Sequence, residues 1–382
     1  MICMNSVLVV GAGPSGLTVA AECRKNGWKT TVIEEHAEIG KPIHCTGIIS
    51  VDGVKETGLD VESITLNKVV GARIFSPQNE EMTVKRNEPV AYIVERDKLD
   101  KLLAQKAIQA GVEIRTETSL LDIRKETVFV QKKGRGEMLK ANVIVGADGP
   151  FSKTRGIMGV SLPKEKFVHA YQFRVKGHFE KNLVQVHLGS YAKNYFAWVA
   201  PENEEMARVG LAVSDGNVRK SFEEFEKKLG FEGEKCDMCS ALIPCGEPFR
   251  EIVKDNIMLV GDAAFQTKAT TGGGIITGMM AGKACAKTID SYFRDKKPLS
   301  DYWKNVSGLN KELVLHWKIR KYLNSLSEEK TNDLVSKMKK AEMEEFLSKY
   351  GHMDKPSKFI GKIYKSPGIL RMLPEAVKFF MS

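Results

Sequence analysis

"SVLVVGAGPSG" at residues 6–16, followed by "KTTVIEE" at residues 29–35, decides the fold. Five residues of apolar strand run into Gly11-Ala12-Gly13-Pro14-Ser15-Gly16, and "LTVAAECRKNG" continues as a helix. Glycines at these spacings permit a tight turn, close backbone approach to a pyrophosphate, and close packing of helix on strand. The helix start then presents unpaired N–H groups to the phosphates. Glu34 closes the second strand 18 residues after Gly16, where a carboxylate can accept hydrogen bonds from ribose hydroxyls. Glu35 is its neighbour, and strand alternation favours Glu34.

This fingerprint alone does not separate NAD from FAD. Two further stretches bear on the choice. "VIVGADGPFSKTR" (143–155) ends a strand at Asp148-Gly149. "IMLVGDAAFQTKATTGGGI" (257–275) ends a strand at Gly261-Asp262, then opens a helix through Gly272, Gly273, Gly274 and Ile275. An Asp at a strand end can bind a ribityl or ribose hydroxyl. Bare backbone at Gly272–Gly274 can meet a pyrophosphate or a flavin carbonyl edge.

Together the three stretches resemble flavoproteins of the para-hydroxybenzoate hydroxylase type. The resemblance implies an α/β fold: an FAD-binding Rossmann-type domain, an inserted β-sheet substrate domain and a helical C-terminal region. The expected cofactor unit is discontinuous, at 1–75, 95–165 and 250–298. The substrate sheet is expected at 76–94 and 166–249, where "HAYQFRVKG", "LVQVHLGS", "YFAWVAP" and "ARVGLAV" read as successive strands. Residues 299–382 read as helical. The resemblance also implies that Glu34 holds the adenosine ribose, that Asp262 serves the ribityl–pyrophosphate region, and that Arg96 reaches the cofactor. Leu120 takes the position whose backbone meets the adenine. Without the resemblance, Arg96 reads as an ion pair with Asp97 or Asp100.

Three features resemble the geranylgeranyl reductases, archaeal type, more narrowly. "KPIHCTGIIS" (41–50) is similar to their cysteine loop, "KATTGGGIITGMMAGKACAK" (268–287) to their flavin-end helix, and "YAKNYFAWVAP" (191–201) to their substrate motif. In the last, Lys193, Phe196 and Ala200 depart from the usual residues, while Trp198 and Pro201 fit. The resemblance implies an FAD-dependent reductase that saturates C=C bonds of an isoprenoid chain. Candidate substrates are an archaeal-type digeranylgeranylglycerol lipid, geranylgeranyl diphosphate or a polyprenyl quinone tail. Cys45, Thr46 and Gly47 are then a flavin-facing wall, with Cys45 a candidate proton source. Phe173, Tyr195, Phe196 and Trp198 are candidate substrate-tunnel residues, with Phe196 and Trp198 on one sheet face. The rival readings are an aromatic monooxygenase on the same scaffold and a flavin-bound electron carrier without turnover.

The remaining chemistry is bounded by composition. Seven cysteines scattered over 382 residues suit a reducing cytoplasm better than a disulfide framework. Cys236, Cys239 and Cys245 lack a fourth ligand nearby, so no metal is expected. No apolar run reaches the ~18 residues that cross a bilayer, and the start has no basic region of a signal peptide. The formal charge is +10, and fifteen Lys/Arg against nine Asp/Glu follow residue 310. Lys there mixes with Ile, Phe, Leu and Met, as in "KFIGKIYKSPGILRMLPEAVKFF", which suits peripheral contact with an anionic membrane. Basic residues are not interleaved with aromatics, so nucleic acid is not expected. The electron donor is left open between NAD(P)H and an acidic, ferredoxin-like protein.

Overall fold

The computed structural model describes residues 5–230 and 233–363. The strand Ser6–Val10 lies inside a six-stranded sheet, between Val143–Gly146 and Lys29–Ile33, parallel to both. Ile257–Leu259 and Glu113–Arg115 extend the sheet in parallel on either side, and Val253–Lys254 adds an antiparallel edge. A parallel strand covered on both faces needs an unbroken apolar run, which "VLVV" supplies.

The helix Pro14–Lys25 begins with proline, which needs no N–H partner there, and ends on Arg24 and Lys25, which suit the negative helix end. It packs against the helix Ile275–Asp295 at very short range. A Cβ on Gly278 would lie 2.2 Å from Ser15 Oγ. Gly11 has φ +102°, and a Cβ there would lie 2.4 Å from the Ala147 carbonyl oxygen. These two glycines let strand, turn and both helices close around one point.

The second unit is a seven-stranded sheet in the order Lys235–Pro244, Phe167–Lys176, Met206–Val213, Ala197–Pro201, Leu183–His187, Gly71–Phe75, Glu81–Lys85. Two segments pair elsewhere than the sequence leads one to expect. Residues 71–75, expected in the cofactor unit, pair in parallel with Leu183–His187 and belong to the large sheet. Their partner lies over a hundred residues away, so no local pattern marks them. Residues 91–94, expected in the large sheet, instead pair with Ile48–Ser50 and Thr65–Val69 in a separate three-stranded sheet.

The two faces of the large sheet have different neighbours. The helix Val218–Leu229 covers one with Phe222 and Phe225. On the other, Ala170, Tyr195, Trp198, Ala200 and Ala212 cluster with Ile93, Ala269 and Trp317. That second face meets the loop before the Ile275–Asp295 helix and the helix Ser307–Asn324. The helical tail continues through Glu328–Lys340, Met343–Tyr350 and Ser357–Ile360. The stretch 364–382, which holds most of the apolar and basic mixture noted above, lies outside the described residues. No helix among the described residues is long and apolar enough to cross a membrane.

Candidate active site

The glycine-rich turn and Glu34 meet as their spacing requires. Glu34 Oε2 accepts from the Ala12 N–H at 2.9 Å, and Oε1 accepts from the His36 N–H at 3.0 Å. Glu35 is exposed and does not join the turn. No side chain caps the Pro14–Lys25 helix, so its first N–H groups face outward from the turn. Leu120 is buried in the neighbouring strand Thr118–Arg124, beside the Glu34 end of the sheet. The Thr118 N–H donates to the Glu34 carbonyl oxygen at 2.8 Å.

Asp148 holds the turn that follows it. Its Oδ1 accepts from the Ser152 hydroxyl at 2.6 Å, and its Oδ2 from the Thr154 N–H at 2.8 Å and hydroxyl at 2.9 Å. This carboxylate holds the turn 148–154, with Oδ1 accepting one bond and Oδ2 two; Gly149 (φ +73°) serves the same turn.

Asp262 follows Gly261, where a Cβ would strike Ser15 Oγ at 2.4 Å. Burial pushes the Asp262 carboxyl up from its ordinary value, opposed by the Thr267 hydroxyl, which donates to Oδ1 at 2.8 Å. Gly274 backs onto the same oxygen at 2.7 Å from where a Cβ would sit. Gly272, Gly273, Gly274 and Ile275 then lead into the long helix with no side-chain cap.

Arg96 makes the ion pair with Asp100, not with Asp97. Its two terminal nitrogens donate to Asp100 at 2.9 and 3.0 Å, a bidentate pair. Burial opposes its charge, but the Asp100 carboxylate and the Cys45 sulfur beside it push its pKa up. Its Nε is buried without a partner. That orphan donor, the bare glycine cradles and the uncapped helix start fit an FAD laid from Glu34 to Gly274.

The Cys45 loop is clamped from the large sheet. Thr46 Oγ1 donates to Gln172 Oε1 at 2.6 Å, and the Arg208 guanidinium donates to the Thr46 carbonyl at 2.6 Å. Gly47 N–H donates to Cys45 Sγ at 3.3 Å. Gln172 also accepts from Trp198 Nε1 at 3.1 Å and donates to Cys239 Sγ at 3.3 Å. Arg208 is held in turn by Glu202 at 2.6 Å. Exposed His44 meets the Ser240 carbonyl at 3.1 Å and so lies on the sheet edge.

Three of the four candidate tunnel aromatics come together. Tyr195 and Phe196 stack at 4.6 Å, and Phe196 meets Trp198 edge-on at 5.9 Å. Tyr195 joins because the strand starts only at Ala197, after a left-handed turn at Asn194. Phe173 is the correction. Gln172 points to the Trp198 side, so its strand neighbour points to the other face, where Phe173 packs on Tyr171 and Phe222.

Sequence reading missed Gln172, Arg208, Lys268, Arg320 and Asp354. Only Gln172 and Arg208 carried a signal: polar residues inside otherwise apolar strands. Cys23, Cys45, Cys236, Cys239, Cys245 and Cys285 are all free thiols, and no metal-holding cluster exists among the described residues.

Residues 4–298 match the FAD binding domain family. A digeranylgeranylglycerophospholipid reductase of Thermoplasma acidophilum is 30% identical over 356 residues, 86% of this chain and 90% of its own. One of Methanocaldococcus jannaschii is 29% identical over 352 residues, covering 86% and 89%. The crystal structure of a geranylgeranyl bacteriochlorophyll reductase-like protein from T. acidophilum superposes with a TM-score of 0.85 at 25% identity, covering 97% of this chain and 99% of that one.

Proposed function

Since the chain belongs to the geranylgeranyl reductase family of FAD-dependent oxidoreductases, we propose that it saturates C=C bonds in the geranylgeranyl chains of an archaeal-type glycerophospholipid. The observation that carries this reading is the Cys45 loop, fixed by Gln172 and Arg208 between Arg96 and the Tyr195–Phe196–Trp198 wall.

Glu34 and the Gly11–Gly16 turn would hold the adenosine and pyrophosphate. Asp262 and Gly272–Gly274 would hold the ribityl and ring end. When bound, FAD supplies the hydride for one alkene carbon. The protein must supply a proton for the other carbon and hold the alkene still. An isolated double bond offers no carbonyl to polarise, so positioning dominates. The aromatic wall binds the apolar chain, excludes water and presents one bond at a time. Cys45 Sγ carries the proton that goes to the second carbon. Thr46 and Gly47 set its direction through their bonds to Gln172, Arg208 and the Val94 N–H.

The test is mass spectrometry of lipids from a host that makes unsaturated isoprenoid lipids, with and without this protein. Mass gains in hydrogen pairs on the glycerophospholipid are expected. Unchanged lipids, with reducing power and bound FAD present, would sink the proposal.

A further inference from the structure

Around the loop Lys268–Gly274, one buried cation is matched by a carboxylate and another is not. Lys268 Nζ pairs with Asp354 at 2.6 Å, both nearly inaccessible. The Ser50 hydroxyl donates to the same carboxylate, and Thr270 Oγ1 meets His316 Nδ1 at 2.6 Å. Arg320 is 2% exposed and pairs with no carboxylate among the described residues. Its Nε donates to the Ala269 carbonyl at 3.0 Å and a terminal nitrogen to the Thr270 carbonyl at 2.7 Å. Its guanidinium carbon lies 4.5 Å from the centre of the Tyr195 ring. The Tyr195 hydroxyl, in turn, is buried with no partner, and a Cβ on Gly272 would lie 2.7 Å from it. Tyr195 thus neighbours both Arg320 and Gly272.

A buried cation without a counter-ion is costly, and burial pulls the Arg320 pKa down. Guanidinium nonetheless stays protonated in proteins. A fixed charge of this kind is useful where negative charge arrives during a reaction. The loop it backs is the one assigned to the flavin ring. A flavin that accepts a hydride, or two electrons and one proton, from its donor gains one negative charge.

We infer that Arg320 is a positioning residue whose charge, acting through the Ala269–Gly274 loop and Tyr195, favours the reduced over the oxidised flavin. The inference rests on the placement of the flavin ring at Gly272–Gly274, and it is independent of which isoprenoid is reduced. Cys245 offers a way to separate charge from hydrogen bonding. Its Sγ faces the same Ala269 carbonyl at 3.8 Å, so Cys245→Asp sets a carboxylate beside the guanidinium and leaves Arg320 in place.

The experiment is spectroelectrochemical titration of the purified FAD-bound protein without substrate. Arg320→Met and Cys245→Asp are each expected to lower the ratio of reduced to oxidised flavin affinity about tenfold, a fall of about 30 mV for a two-electron couple. Arg320→Lys keeps the charge and is expected to keep the potential close to that of the unmodified protein. Potentials unmoved in Arg320→Met and Cys245→Asp overturn the inference. So does an equal fall in Arg320→Lys and Arg320→Met, because that pattern reports lost hydrogen bonds. Should Arg320→Met fail to fold, Cys245→Asp alone decides.

Discussion

At the scale of single residues, Cys45 and Gln172 divide the work of the proposed site. In the proposed mechanism Cys45 bears the proton, and Gln172 fixes the loop that bears Cys45 through Thr46. Cys45→Ala is expected to retain FAD and to lose about 100-fold in alkene reduction, the usual scale for a general acid. Single-turnover counting of hydrogens added to the lipid checks it, and full activity would reduce Cys45 to part of the wall. Gln172→Leu strips partners from the Thr46 hydroxyl, the Trp198 N–H and Cys239 at once. A buried indole N–H left bare costs about 1–3 kcal/mol, measurable as a lower denaturant midpoint in the FAD-bound protein. The two residues also differ in how readable they were. Cys45 sits in a short motif whose neighbours in sequence are its neighbours in space. Gln172 owes its meaning to Thr46, 126 residues away, and to a strand pairing that sets which way it points.

At the scale of elements, the cofactor unit depends on two helices and a strand touching through glycine. Gly278→Val would place branched carbon where Ser15 Oγ sits. The expected result is a protein purified without the yellow colour of bound flavin. A normal flavin content would show that the helices can part without harm. The tail is tied to the same region by Asp354, which joins Ser50 and Lys268. Asp354→Ala leaves the Lys268 ammonium buried alone, and breaking such a pair costs about 3–5 kcal/mol. The Asp354 carboxyl is lowered in the fold: burial works to raise it, and Lys268 outweighs that. Its contribution is therefore present above the unfolded carboxyl pKa of about 3.9 and is lost as pH falls through the folded value.

The histidines of these elements act at milder acidity. Burial, helped by Lys228 at His187 and Lys268 at His316, lowers both pKa values from 6.5 to about 4. The unfolded chain then binds more protons than the folded one between those values. Stability is expected to fall as pH drops from about 6.5 towards about 4, with the histidine part of the slope ending there. Urea midpoints across that window check the direction. His316→Asn should flatten the slope, and a slope unchanged in that variant would remove His316 from the account.

At the scale of the whole molecule, we propose that the +10 formal charge favours contact with anionic lipid. Co-sedimentation with anionic vesicles, lost at high salt and absent with neutral vesicles, is the expected outcome. No sedimentation at low salt would remove the membrane from the proposal. The chain's overall plan was written locally. An apolar run, a glycine turn at fixed spacing and a carboxylate at the next strand end are consecutive features, and backbone geometry admits few other uses for them. That is why Glu34, Gly11–Gly16, Asp262 and Gly272–Gly274 stand out in the sequence as the candidates to hold FAD. The sheet face was decided only by tertiary pairing. It sends Phe173 away from the wall, brings Tyr195 into it, and moves residues 71–75 from one unit to the other. Asp148 was legible as a strand-end carboxylate, but only its folded partners show that it holds a turn. Arg320 and Asp354 had no sequence signature at all. Their roles come from burial and from partners brought close by folding; Asp354 and Ser50 are 304 residues apart along the chain. Spacing along a chain fixes the turns it can make, while the company of a buried charge is settled only when distant segments pack together.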